Sequence, residues 1–156
     1  MPSISRCINI LSRASGMFRS ANMKNQELRP YLQSYILVLT RCPGLSQEQI
    51  ARRLCVDKSS VTRALAALEK LEYVKRVRDE EDKRITLVYP TKKAIEIREE
   101  IKNAYREWNA YINQSFTEEE AAEFIRLLEK AAKHAADYAE TELDGVDFSE
   151  TEENEK

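Results

Sequence analysis

Residues 75–90 read KRVRDEEDKRITLVYP: three bases, four acids and two more bases stand directly before an apolar, β-branched run. A helix here would need an apolar stripe, and residues 75–84 have none. The flanks point elsewhere. YVKRVR (73–78) and RITLVY (84–89) are rich in β-branched and aromatic residues, with Ile85, Leu87 and Tyr89 in alternation, and DEEDK (79–83) between them is a polar turn. The stretch is predicted to be a β-hairpin.

What precedes the hairpin gives it a context. SQEQIARRL (46–54) opens with Ser46 and Gln49 in capping-box spacing, where each side chain satisfies a free amide of the first turn, and predicts a short helix burying Ile50, Ala51 and Leu54. After the turn CVD, the run KSSVTRALAALEKL (58–71) places Val61, Ala64, Leu65, Leu68 and Leu71 on one face. The leading end of its other face carries Lys58, Ser59, Ser60, Thr62 and Arg63, with no carboxylate between Asp57 and Glu69. Short hydroxyl donors and a forked cation can enter a groove lined with phosphates and base-edge acceptors without repulsion. A short helix, a tight turn, a second helix with a polar, basic start and then a hairpin make a winged helix-turn-helix. An ordinary helical pair with a solvated face is the competing interpretation of the helices alone.

The hairpin charges fit that context. Arg76, Arg78, Lys83 and Arg84 can follow a DNA backbone or enter a minor groove, where narrow A·T tracts concentrate negative potential. Asp82 is expected to hold a neighbouring arginine in place, because an unpaired acid there would meet phosphate. Glu80 and Glu81 are expected to be solvated.

The whole chain has 156 residues and a net charge of −2, but the charge is unevenly spread. Residues 1–45 carry +5, residues 46–93 carry +4 and residues 94–156 carry −11. A polyanion would be attracted by the first two segments and repelled by the last. Three cysteines, Cys7, Cys42 and Cys55, are widely spaced and suit reduced thiols better than a disulfide framework. No apolar run reaches the roughly 18 residues of a membrane span, and arginines interrupt the N-terminus too often for a secretory signal. A cytoplasmic protein with no membrane partner is expected.

Helical periodicity continues on both sides. Ile4, Ile8, Leu11, Ser15 and Phe18 share a stripe over residues 4–22, with arginines elsewhere, and Pro30 opens a helix whose stripe is Leu32, Tyr35, Ile36 and Leu39. Thr91 can cap a long helix bearing Ile97, Ile101, Ala104, Tyr105, Trp108 and Ile112. Thr117 and Glu120 form a second capping box, opening a helix with Phe124, Ile125, Leu128 and a row of alanines. From Thr141 the chain is too acidic and too poor in apolar residues to pack.

Residues 44–94 resemble the winged-helix core of the MarR family of bacterial transcription regulators, most specifically in DKSSVTR (57–63) and in RDEEDKR (78–84), which is similar to the family's Asp-x-Arg wing motif at Asp82 and Arg84. The resemblance implies a mainly α fold: a winged helix-turn-helix with a small β-hairpin wing, flanked by N- and C-terminal dimerisation helices. It implies a homodimer on a pseudo-palindromic double-stranded operator, usually a repressor released by a small molecule or by oxidation. Ser59, Ser60, Thr62 and Arg63 would become major-groove or phosphate contacts and Arg84 the minor-groove contact. The corresponding organisation is a dimerisation helix over 1–29, a DNA-binding domain over 30–92, dimerisation helices over 93–140 and an acidic tail over 141–156. Ile4, Ile8 and Leu11 would meet Phe124, Ile125 and Leu128 of a second subunit. Three positions depart from the family pattern: Glu72 and Cys55 stand where glycine is common, and Ala94 ends the sequence PTKKA.

Nothing supports catalysis. His134 is the only histidine and sits among alanines and Lys133, and no phosphate loop, nucleophile elbow, metal-spaced cluster or partnered carboxylate pair appears. No cofactor and no metal are expected. Control by a small aromatic or anionic effector, bound in an apolar cleft at Tyr31 and Tyr35, is favoured over oxidation of Cys7, which lies among apolar neighbours with only Arg6 close in sequence. A winged helix that binds protein in place of DNA is the third alternative.

Overall fold

A computed structural model describes residues 3–139, so the tail expected over 141–156 lies outside the described residues. The elements run α1 (Ile4–Asn22), α2 (Pro30–Arg41), β1 (Leu45–Ser46), α3 (Gln47–Leu54), α4 (Lys58–Lys70), β2 (Val74–Arg78), β3 (Thr86–Pro90), α5 (Lys92–Asn113) and α6 (Glu118–Tyr138). Local chemistry sets most boundaries. Both capping boxes form: Ser46 with Gln49 before α3, and Thr117 with Glu120 before α6. Pro30 occupies the first turn of α2, and Thr91 caps α5 by accepting the Ala94 amide.

The hairpin is present, but it belongs to a three-stranded antiparallel sheet ordered β1-β3-β2. The additional strand, β1, is two residues long and pairs Leu45 with Val88 and Ser46 with Leu87. Too short for periodicity to reveal, it closes the inner edge of the wing and leaves β2 as the outer strand. Gly44 makes the approach possible: at φ 81° it donates to Val88 O at 2.9 Å, and a Cβ there would stand 3.1 Å from the Tyr89 hydroxyl. The alternation in β3 has the opposite sense to a buried Ile85, Leu87 and Tyr89 face, since Val88 is the fully buried residue and Ile85 is exposed.

One core unites α2, α3, α4, the sheet and α5. It is built from Leu32, Ile36 and Leu39, from Ile50, from Val61, Leu65 and Leu68, from Tyr73, Val74 and Val88, and from Ala94, Ile101 and Ala104. The stripe predicted for α4 is therefore buried, with Leu71 half-buried at its end. Met23 and Leu28, between α1 and α2, join the same core.

Helix α1 corrects the simple amphipathic expectation for its arginines. Arg19 is buried: its Nε donates to Gln33 Oε1 at 2.9 Å, its Nη1 donates to Ser15 Oγ at 2.6 Å, and its guanidinium lies 4.1 Å from the Tyr105 ring centroid. Beyond it, Phe18 packs on Trp108 and Tyr111, with ring centroids 5.6 and 5.4 Å away. The other half of the predicted stripe, Ile4 and Ile8, is uncovered. Among the described residues no helix is long and apolar enough to cross a membrane.

Candidate nucleic-acid interface

Helix α4 is anchored by its buried face and presents its polar face outward. Its start is organised by Asp57, the N-cap. Asp57 Oδ1 accepts the Ser60 amide at 2.8 Å and Oδ2 accepts the Ser60 hydroxyl at 2.7 Å. These hydrogen bonds, the Ser60 hydroxyl first, hold the Asp57 carboxyl below its ordinary range. Arg63 Nη2 then donates to Ser60 Oγ at 3.2 Å, so the guanidinium lies over the capped turn. Lys58, Ser59, Thr62 and Arg63 are exposed and Ser60 is half-buried, while Thr62 Oγ1 donates to Lys58 O at 3.0 Å. The predicted contact residues of α4 thus share one surface around a carboxylate that is already occupied. Asp57 itself organises this surface and was passed over by sequence reasoning, although Asp-x-x-Ser at a helix start was a signal for it.

The turn ahead of α4 is strained. Cys55 adopts φ 52° and closes α3, and Glu72, just past α4, adopts φ 62°. Both take the left-handed conformation that glycine adopts without cost. All three cysteines are free thiols. Cys7 is exposed in the isolated chain, so any packing there has to come from outside it.

The wing tip is folded by two aspartates. Asp79 Oδ1 accepts the amides of Glu81 and Asp82 at 2.9 and 2.8 Å, and Asp82 Oδ1 accepts the Arg84 amide at 3.0 Å. Asp82 acts on Arg84 mainly through that backbone bond. Its oxygen is 3.9 Å from the guanidinium Nε, and the Arg84 side chain is 95% exposed. Lys83 and Arg78 are exposed as well, so three of the four cations assigned to the wing point to solvent. Arg76 differs from them. It is paired with Glu69 of α4, its Nε 3.0 Å from Oε2, and this hydrogen bond lowers the Glu69 carboxyl and raises the guanidinium.

The effector and assembly residues divide. Tyr35 is buried in the core, and burial first, then the Asp57 charge, raises its hydroxyl. Tyr31, one turn earlier on the same side of α2, is exposed, so of the two tyrosines Tyr31 is the one open to solvent. Pro30 instead lines a shallow groove with Arg13, Gly16, Met17 and Gln26. Ile4, Ile8, Ile125 and Leu128 are exposed, Leu11 is half-buried and Phe124 stacks on Phe116 at 5.2 Å. The sole fully buried residue of α6 among those described is Ala136. His134 is on the surface.

The family model described as the MarR family matches residues 35–86, which run from α2 to the start of β3. The HTH-type transcriptional regulator YybA of Bacillus subtilis is 25% identical over 134 residues, covering 86% of this chain and 89% of that protein. A MarR protein from Peptoclostridium difficile is 28% identical, with a TM-score of 0.82 over 89% of this chain and 92% of its own. A MarR family transcriptional regulator from Listeria monocytogenes, solved in complex with a 26mer DNA, is 25% identical with a TM-score of 0.78, over 89% of this chain and 93% of its own.

Proposed function

This chain belongs to the MarR family of transcription regulators, and on that premise we propose that it binds a pseudo-palindromic double-stranded operator as a homodimeric repressor released by a small aromatic or anionic effector. The observation that carries the DNA reading is the leading end of α4. Its exposed cations and hydroxyls surround a single carboxylate whose two oxygens are both engaged by Ser60. Such a surface meets phosphate and base edges with donors only. Helix α4 enters the major groove and the wing extends Lys83 and Arg84 towards the adjacent minor groove.

The homodimer reading is supported by the apolar side chains that the chain leaves uncovered on α1 and α6, where Ile4 is 78% exposed and Ile125 46%. A second copy buries both sets by placing them against each other across a two-fold axis. Cys7 then becomes part of the interface. The effector reading is supported by the groove of Arg13, Met17 and Pro30: a largely apolar lining and one cation suit an aromatic acid.

The test is binding of duplex DNA, selected by the protein from a random pool, followed by fluorescence anisotropy. Arg63→Ala and Arg84→Ala each weaken binding by about 1–3 kcal/mol if they contact bases, with sedimentation unchanged. A phosphate contact also flattens the salt dependence. Parent-like binding by both variants at moderate salt rules out this docking. Benzoate, as the probe anion, is expected to lower the affinity of the parent and to do so less in Arg13→Ala.

A further inference from the structure

Where the recognition helix ends, three parts of the chain meet around one ammonium group. Lys93, in the first turn of α5, donates to Leu71 O at 2.8 Å and to Glu27 Oε1 at 2.7 Å, and its Nζ lies 4.4 Å from the Tyr73 ring centroid. Leu71 is the C-cap of α4, so the ammonium sits on a terminal carbonyl, where the helix dipole favours a cation. Tyr73 is the largest fully buried side chain among the described residues. Its hydroxyl donates to Glu27 Oε1 at 3.2 Å and accepts from Asn25 Nδ2 at 2.7 Å. Asn25 Oδ1 in turn accepts the amides of Glu27 and Leu28, at 3.1 and 3.3 Å.

Both sides of this cluster are tied down. On one side, Glu100 of α5 accepts the amides of Lys24 and Asn25, which fixes the α1–α2 connection to α5. On the other, Thr91 Oγ1 donates to Glu72 O at 2.7 Å, and the Thr91 amide donates to Tyr73 O at 3.0 Å. Lys93 and Glu27 raise and lower one another's titration in the direction that keeps both charged. The cluster therefore links two bodies: the frame of α1 and α5, and the end of α4 with the start of the wing.

We propose that Lys93, Tyr73, Glu27 and Asn25 are positioning residues that fix the angle of the recognition helix on the α1–α5 frame, and thereby set the half-site spacing the protein accepts. The inference rests on the dimeric DNA-binding reading above. In a two-fold dimer each recognition helix is carried by its own frame, so a small change in its angle alters the separation of the two helices. The core holds α4 through apolar packing, which carries no directional bonds, whereas the cluster joins its terminal carbonyl, the following tyrosine and the loop of the frame to one another with directional bonds. None of the four residues needs to touch DNA for this role.

The experiment uses the full chain, its selected duplex, duplexes in which the half-site separation is changed by two base pairs either way, and a duplex with one half-site. The variants are Tyr73→Phe, which keeps the buried ring and loses both hydroxyl bonds, Glu27→Gln, and Lys93→Gln with Lys93→Arg as the conservative rescue. The parent is expected to prefer its own spacing by about tenfold or more, and the first three variants by about twofold, a loss within the usual range of coupling between sites. Their single half-site affinity and their sedimentation stay parental, and Lys93→Arg retains most of the preference. Variants with the full parental preference overturn the proposal. Equal loss on all duplexes, including the single half-site, also overturns it, because it marks general damage to the fold. A parent indifferent to spacing overturns this proposal together with the two-half-site reading, whereas a discriminating parent with discriminating variants overturns this proposal alone.

Discussion

Arg76 on the outer wing strand and Glu69 in the last turn of the recognition helix are joined as an ion pair, with Nε 3.0 Å from Oε2 and a second guanidinium nitrogen on the same oxygen. The pair spans the angle between helix and wing, the two elements that the proposed docking places in neighbouring grooves. In the proposed docking this pair makes Arg76 a strut that orients the wing, in addition to a wing cation.

That strut makes an unusual prediction for Glu69→Ala. Removing an acid near a DNA-binding surface strengthens binding if charge alone decides. We expect the opposite, about two- to fivefold weaker binding, since an exposed pair contributes roughly 0.2–1 kcal/mol to holding its geometry. Anisotropy titrations of Glu69→Ala and Glu69→Gln on one duplex decide the matter. Tighter binding by the alanine variant removes the strut from the account.

The two left-handed residues, Cys55 and Glu72, are sites where a substitution should help. A side chain with a Cβ costs about 1–2 kcal/mol in this conformation, and glycine gives back about 0.5–1 kcal/mol through its freer unfolded chain. Cys55→Gly and Glu72→Gly are each expected to gain about 0.5–1 kcal/mol, or roughly 1–4 °C in Tm for a chain of this size. Cys55→Ala and Glu72→Ala keep the strain and gain nothing. Thermal melts of the four variants test this, and a fall in Tm for both glycine variants contradicts it.

The helix-turn-helix and its wing were legible because their signals are local. Ser46 with Gln49 and Thr117 with Glu120 act over three residues, and the apolar face of α4 repeats within one helix. What escaped was set by partners distant in sequence. Strand β1 exists through its pairing with Val88, and Arg19 is buried because Gln33 and Tyr105 complete its surroundings. Arg76 looked like its neighbours on the wing, and its pairing with Glu69 across the helix–wing angle is not a local signal. Asp82, anticipated as a holder of arginine, engages Arg84 chiefly through its backbone amide, with the guanidinium Nε 3.9 Å away.

Asp57 leads to a prediction about pH. Its folded carboxyl titrates lower than an unconstrained aspartate, chiefly through the Ser60 hydroxyl and then the Ser60 amide. A depressed value means that the capping contribution is complete above about pH 4, the range of the unfolded residue, and is lost as pH falls through the folded value. The protection factor of the Ser60 amide, which divides out the intrinsic slowing of exchange in acid, is therefore expected to fall on acidification in the parent. In Asp57→Asn, which caps a helix without titrating, exchange at Ser60 should not show that acid-linked step. An identical acid profile in both proteins assigns the step to some other group.

The exposed face of α6 carries the last prediction. Ile125 and Leu128 lie one turn apart and are both uncovered in the isolated chain, as Ile4 and Ile8 are on α1. Placing charge in that face opposes its burial against a second copy while leaving the shared core untouched, since neither residue belongs to it. The double variant Ile125→Glu, Leu128→Glu is expected to sediment as a folded monomer with an unchanged helical spectrum. Losing the second recognition helix removes the effective concentration that links two half-sites, so affinity for the full operator falls by about a hundredfold or more, towards that of one half-site. A dimeric double variant with parental operator affinity places the subunit contact elsewhere on the molecule.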